Sequence, residues 1–198
     1  MNSEQAETIR RARGGDLDAL RQLHQEYGKR ILNFIFRMVG SREDAEDLAQ
    51  NVFLLAFRQL KGLQDESRFE SWLYRIARNE VYQKFRRKQV DSLDEESSKP
   101  FAERSQDRQL SGQPEKALLN EELGEALQSA LNALPLKLRE VFILAVVDEM
   151  SYQDISEIVG RSLLSVKTDI YRARLMTKEQ LSRYMNENRR ISIRRIGA

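Results

Sequence analysis

Aromatic, basic and amide side chains alternate between residues 69 and 82, and together they could hold a single-stranded nucleic acid. Bases stack on aromatic rings at about 1–3 kcal/mol each, while cations follow the phosphates. Helical spacing predicts that Leu73, Ile76 and Ala77 face a core. The other side of this helix then carries Arg75, Arg78, Asn79 and Tyr82. The further aromatic candidates are Phe69, Trp72 and Tyr74, and we expect at least one of them to be a core residue.

A second set of polar and basic side chains follows a helix-turn-helix pattern. Ser151 opens a short apolar segment, Gly160 marks a tight turn, and Ser162 caps the next helix. An α-helix fits the major groove of DNA, where hydroxyl and cationic side chains meet base edges and phosphates. A plain three-helix bundle would not require such side chains on this face. The candidate contacts are Ser165, Lys167, Thr168, Tyr171, Arg172 and Arg174, opposite Val166, Ile170 and Ala173.

A third candidate surface lies on the helix predicted after Ser41. Its apolar side includes Leu48, Val52 and Phe53, and at 100° per residue its opposite side carries Asp47, Gln50, Asn51, Leu54 and Arg58. Leu54 is a large apolar residue within an otherwise polar stripe. A single exposed Leu is common, so spacing alone leaves a protein-docking face and an ordinary solvated face equally open.

The sequence offers no residue set for catalysis. It has no Cys and one His, His24, which excludes a Cys nucleophile, a disulfide framework and a Cys/His zinc site. It also has no glycine-rich phosphate-binding loop. We therefore predict that the protein is not an enzyme, with no catalytic, cofactor-binding or metal-binding residue and no small-molecule substrate.

The elements that must position these candidate residues are helices. The 198 residues are 40% hydrophobic and 32% charged, with only 9 Gly and 3 Pro, a composition typical of an all-α protein. Apolar residues from Leu20 to Met38 recur at spacings of three and four, and Gly40 ends that helix. The polar start and the shortness of the longest apolar run, at 141–147, predict a soluble, intracellular chain without a secretory signal.

Charge and composition divide the chain into four parts. Residues 72–88 hold six basic residues against one acid, whereas 41–50 are acidic, so we expect two kinds of partner. Between the helical segments the composition becomes polar, with Pro100, Gly112 and Pro114. The predicted parts are an N-terminal helical domain at 1–88, a flexible acidic linker at 89–116, a C-terminal helix-turn-helix domain at 117–187 and a basic tail at 188–198.

Four segments of the chain resemble one known family. They are DAEDLAQNVF at 44–53, FESWLYRIARN at 69–79, the helix opened by Leu-Pro at 134–144 and the helix-turn-helix at 151–174. These segments stand in family order and at family spacing on either side of an unmatched linker. The sequence therefore resembles a bacterial extracytoplasmic-function sigma factor, the compact two-domain class of RNA polymerase initiation subunit. The resemblance covers about residues 10–88 and 118–185.

The resemblance implies an all-α fold of two helical domains and three sets of contacts. The clamp helices of core RNA polymerase would dock on Asp47, Gln50, Asn51 and Leu54. The -10 promoter element would be melted, and its non-template strand held, by Arg68, Phe69, Trp72, Tyr74, Arg75, Arg78, Asn79 and Tyr82. The duplex -35 element would be read by Ser165, Lys167, Thr168, Tyr171, Arg172 and Arg174. It further implies a cytoplasmic protein without cofactors, monomeric when free and restrained by an anti-sigma factor.

Two points stay open on the sequence alone. A stand-alone helix-turn-helix regulator would explain the C-terminal half, but it would leave the aromatic and basic segment at 69–82 without a role. Many family members carry a basic residue where this chain has Asp169. An acid there either repels phosphate or pairs with Arg172, so we expect Asp169→Arg to strengthen DNA binding if phosphate lies nearby.

Overall fold

The computed structural model describes residues 3–94 and 114–196, with side chains for 3–89 and 123–184. Within these ranges the secondary structure consists of helices and short turns, without a strand. The all-α prediction is confirmed. The predicted linker at 89–116 falls largely outside the described residues, and so do the side chains of the predicted basic tail.

The N-terminal domain contains four helices, α1 (Ser3–Arg13), α2 (Leu17–Val39), α3 (Arg42–Gln59) and α4 (Phe69–Asp94). Local side chains fix where they start and stop. Asp16 accepts hydrogen bonds from the backbone N–H groups of Asp18 and Ala19, and Ser41 accepts one from Asp44. Gly40 ends α2 in the left-handed conformation, at φ 80°.

The C-terminal domain contains α5 (Pro114–Asn132), α6 (Leu136–Phe142), α7 (Tyr152–Val159) and α8 (Leu163–Ile196). Pro135 precedes α6 as predicted, and a single π-helical turn follows at Ile143–Val147. Ser151 caps α7, and Gly160 turns the chain at φ 66° into α8. Helices α7 and α8 therefore form the predicted helix-turn-helix.

Some helices extend beyond the expected limits. Helix α1 had no counterpart in the predicted pattern, because only Ile9 and Ala12 of its residues are buried. Helix α4 runs past residue 88, α5 begins before residue 117, and α8 continues through the segment predicted as a separate tail.

The two domains pack directly against each other. Helix α4 lies against α7, and α2 contacts α5, α6 and the π-helical turn. Arg139 Nη1 donates a hydrogen bond to the carbonyl oxygen of Met38 at 2.6 Å, and Gln128 Nε2 donates one to that of Arg37 at 3.1 Å. Buried apolar residues of both domains form one continuous cluster. The predicted division into two domains did not anticipate this interface, which covers part of α4.

Candidate nucleic-acid and protein interfaces

The outward face of α3 has the predicted arrangement. Asp47, Gln50 and Asn51 are exposed, and Leu54 is 50% exposed. Leu48, Val52 and Phe53 are buried on the opposite side of the helix, so the apolar stripe fixes which residues face outward. The exposure of Leu54 makes it available to a partner.

The residues predicted for single-stranded DNA fall into three groups by exposure. Arg68, Arg75 and Asn79 are exposed, and Trp72, Arg78 and Tyr82 are half-buried. Phe69 and Tyr74 are buried, with 1% and 0% exposure, and this corrects their placement on a stacking surface. The ring of Phe69 packs edge-on against Tyr27, and that of Tyr74 against Phe34. Trp72 and Tyr82 are the aromatic residues of this segment that solvent reaches.

Arg78 contacts the other domain. Its Nε lies 3.0 Å from Glu140 Oε2, and its guanidinium sits over the ring of Tyr82, 4.4 Å from the centroid. Glu140 is fully buried, and its second oxygen lies 2.6 Å from Nη2 of Arg161 in the turn between α7 and α8. The carboxylate of Glu140 thus connects Arg78, a predicted DNA contact of α4, to the turn of the helix-turn-helix.

Glu140 is a residue that the sequence reasoning missed. Its signal in the sequence is weak, because Glu140 is the single acid of residues 136–144 but stands in the same segment as the charged Lys137 and Arg139. Its partners stand 62 and 21 residues away in the chain, so local spacing could not have identified them.

Asp169 does not lie at the edge of the outward face of α8. It is 5% exposed and forms an ion pair with Arg161, and Lys137 Nζ lies 3.5 Å from its Oδ2. Arg161 and Lys137 are the cations beside Asp169, so the predicted pairing with Arg172 is wrong, and burial argues against a role in repelling phosphate. Asp169 instead anchors the turn of the helix-turn-helix to α8.

Asp148 is a second acid at the interface between the domains. Burial raises the pKa of Asp148 to about 6, although the nearby guanidinium groups of Arg30 and Arg37 act in the opposite direction. Burial also raises the pKa of Tyr74, which faces Asp148 from α4, and Glu70 adds a like charge nearby. Ionised Asp148 is therefore an unfavourable group in this arrangement.

The outward face of α8 is open. Lys167, Thr168, Arg172 and Arg174 are exposed, Tyr171 is 64% exposed, and Ser165 is half-buried. Opposite them, Val166, Ile170 and Ala173 are buried as predicted. The most exposed large apolar residue here is Leu164, at 75%, on the first turn of the helix.

Neither a metal-binding cluster nor a membrane-spanning helix occurs in the part of the chain that the structure describes. Among the residues that it describes, no three His, Cys, Asp or Glu side chains cluster in a way that could hold a metal ion. His24 packs its ring against Phe53, with centroids 4.7 Å apart. Over the same part of the chain, no helix combines the length and apolarity needed to cross a bilayer.

Comparison with known proteins identifies both domains. Residues 23–90 match the family Sigma-70 region 2, and residues 124–176 match Sigma-70, region 4. The ECF RNA polymerase sigma factor SigW of Bacillus subtilis is 34% identical over 176 residues, covering 87% of this chain and 94% of SigW. The ECF RNA polymerase sigma-E factor of Escherichia coli K12 is 30% identical over 170 residues, covering 84% of this chain and 88% of that protein.

Two solved structures share the fold at 23% sequence identity. The sigma factor RpoE of Bartonella quintana, solved with the anti-sigma factor NepR, gives a TM-score of 0.70 and covers 82% of this chain and 96% of its own. CnrH, solved with the cytosolic domain of CnrY, gives a TM-score of 0.68 over 90% and 97%.

Proposed function

Because the chain belongs to the extracytoplasmic-function family of RNA polymerase sigma factors and directs transcription initiation, we propose that each of its three exposed faces binds one component of the initiation complex. The outward face of α3 docks core polymerase, the exposed side of α4 holds the melted -10 element, and α8 reads the duplex -35 element. The protein acts by binding, without catalysis, in the cytoplasm.

The outward face of α8 carries this proposal. Between residues 163 and 178 the exposed charged residues are Lys167, Arg172, Arg174 and Lys178, and the single acid of the segment is the buried Asp169. A helix with cations on its open face and no exposed acid suits the polyanionic major groove.

Helix α4 supports the assignment of the -10 element. Arg75 and Asn79 are exposed. Trp72 offers a half-buried ring one turn before Arg75. These are a cation, an amide and an aromatic group, the means by which unpaired bases are held. Arg78 and Tyr82 belong to the same surface, but Glu140 engages Arg78 while the two domains are packed together.

An anti-sigma factor is the further partner that we propose. Of the two solved structures with this fold, RpoE was determined with the anti-sigma factor NepR, and CnrH with the cytosolic domain of CnrY. In the present chain, interdomain packing buries Glu140 against Arg78, so a protein that stabilised this packing would keep a DNA contact engaged.

Transcription in vitro tests the docking face. Leu54→Glu should abolish transcription from core polymerase and weaken core binding, whereas Leu123→Glu, at a residue of 63% exposure on α5, should do neither. Both variants should keep their helical circular dichroism. Core affinity unchanged in folded Leu54→Glu would remove α3 from the proposal.

Permanganate footprinting tests the role in melting. Arg75 and Asn79 are the residues to replace, because substitution of Arg78 would also disturb Glu140. The double alanine variant should form less open complex at normal core affinity, and a pre-melted bubble template should restore its transcription. Failure of the bubble to restore transcription would contradict the melting role.

The alternative function is a stand-alone helix-turn-helix regulator. Such a protein would bind its site tightly without polymerase, whereas a sigma factor binds duplex promoter weakly alone and copurifies with core enzyme. The match of residues 23–90 to Sigma-70 region 2 favours the sigma factor, because a stand-alone regulator would leave this domain without a role.

A further inference from the structure

The exposed face of α8 carries an apolar stripe among its cations. Leu164 is 75% exposed, Tyr171 64% and Leu175 51%. Their spacings of seven and four residues place them on one side of the helix. A single exposed Leu needs no explanation, but three large apolar side chains aligned on a face that is otherwise cationic do.

Thr168 lies between Leu164 and Tyr171 on the same side of α8 and adds a methyl group to the stripe. Thr168 Oγ1 donates a hydrogen bond to the carbonyl oxygen of Leu164 at 3.0 Å. Its hydroxyl proton is therefore used inside the helix and is not offered to a base. Beyond that bond Thr168 presents its γ-methyl group and a hydroxyl oxygen that can only accept, so this part of α8 is more apolar than its hydroxyl content suggests.

The positive charges around the stripe indicate which kind of partner it binds. Lys167, Arg172 and Arg174 flank it and are exposed, while Asp169 is turned away into its contacts with Arg161 and Lys137. The partner must accept several cations and also present an apolar group. The major groove of DNA does both, because phosphates line its edges and thymine carries the one methyl group among the four bases.

We propose that Leu164 reads thymine by packing against its 5-methyl group in the duplex -35 element. The inference rests on the proposed role of α8 and adds a specificity residue to it. Leu164 stands on the first turn of the second helix of the helix-turn-helix, and the N-terminal residues of that helix approach base edges in this motif. The contacts predicted from the sequence were hydroxyl-bearing and cationic side chains, and Leu164, although on the outward face, was not among them.

Replacement of thymine by deoxyuridine tests the contact, because uracil pairs identically and lacks only the methyl group. The full chain assembled with core polymerase would first select its -35 element from a randomised promoter library. Each thymine of the selected duplex would then be changed to deoxyuridine in turn. We expect one change to lower promoter affinity about fourfold, the effect of one buried methylene-sized group.

The same comparison with Leu164→Ala completes a double-mutant cycle. This variant should bind thymine and uracil duplexes equally, while Leu164→Met should retain most of the preference. Leu17→Ala, at a residue of 66% exposure on α2, is the matched control and should keep the full uracil effect. Helical circular dichroism checks that each variant is folded.

The outcomes separate this inference from the proposed function. If the holoenzyme selects no -35 sequence, the assignment of α8 fails and the inference fails with it. If it selects an element but uracil has no effect, or Leu164→Ala keeps the effect, only the thymine contact is overturned. Weaker core binding by folded Leu164→Ala, without any change between thymine and uracil, would mark the stripe as a protein contact and overturn the inference.

Discussion

Helices α4 and α8 carry similar side chains, but these side chains differ in how freely they can contact DNA. Both alternate cations with aromatic rings, and both are proposed to meet promoter DNA. On α8, Lys167, Arg172 and Arg174 are exposed on an open face, whereas Arg78 of α4 is held by the buried Glu140 of the other domain. Sequence pattern therefore identifies which residues suit DNA, and the packing between domains decides which of them is free to bind it.

The largest effect is expected from Glu140→Ala. Removing one partner of a buried ion pair costs about 3–5 kcal/mol, because the charge left behind loses its compensation. Arg78 would lose its carboxylate and Arg161 would keep only Asp169, and chemical denaturation should report the loss.

The control is Glu179→Ala. Glu179 is 61% exposed and pairs with Arg183, so its loss should cost no more than about 1 kcal/mol. A cost for Glu140→Ala as small as that of the control would mean that the interdomain ion pair contributes little, and the contrast between α4 and α8 would lose its physical basis.

The effect of Asp169→Arg should be the next largest, and opposite to the sequence expectation. The new cation would face Arg161 and Lys137 in a nearly buried position, so we expect a loss of about 3 kcal/mol in unfolding free energy and no gain in DNA affinity. Asp169→Asn, which removes the charge but keeps the shape, should be less damaging. Tighter promoter binding by folded Asp169→Arg would contradict this placement.

Asp169 also illustrates what sequence could predict. Helical periodicity gave the inward and outward faces of α3 and α8, because burial of an apolar stripe is decided within one helix. It also placed the caps at Ser41 and Ser151, which depend on residues three positions apart. Asp169 was assigned wrongly because its partner Arg161 lies in the preceding turn, outside the periodic pattern.

The contacts that α4 makes could not be predicted from residue spacing within the helix. Phe69 and Tyr74 have the residue types of a stacking surface, and only their packing against Tyr27 and Phe34 reveals them as core. Arg78 meets Glu140 across 62 residues and a domain boundary. The relative placement of the two domains depends on surfaces of several helices. The spacing of residues along one helix therefore cannot predict contacts between the domains.

A smaller effect, dependent on pH, is expected from Asp148→Asn. Burial raises the pKa of Asp148 from 3.8 to about 6, so the folded protein holds this proton more tightly than the unfolded chain does. The ionised group therefore costs stability above pH 6, and this cost is relieved as the pH falls from 6 towards 4. Asp148→Asn should be more stable than the parent at pH 7 by about 1–3 kcal/mol.

That advantage should shrink on acidification, and denaturation curves at pH 7, 5 and 4 would measure it. The groups that face Asp148 from α2 and α4 are Arg30, Arg37, Glu70 and Tyr74. An advantage that did not vary with pH would show that the substitution acts through shape or hydrogen bonding rather than through ionisation of Asp148.

The smallest effect should come from Lys167→Ala on the open face of α8. A cation that neutralises one phosphate releases about one counterion, so its removal should lower the slope of log affinity against log salt concentration by about 0.9. The selected -35 sequence should stay the same, because phosphate contacts carry no base information. Arg183→Ala is the control on the same helix, since Arg183 is 64% exposed but lies more than four turns beyond Lys167 on the opposite side of α8. Its slope should equal that of the parent. If both variants changed the slope equally, loss of a positive charge anywhere on α8 would account for the effect, and Lys167 would not be a phosphate contact.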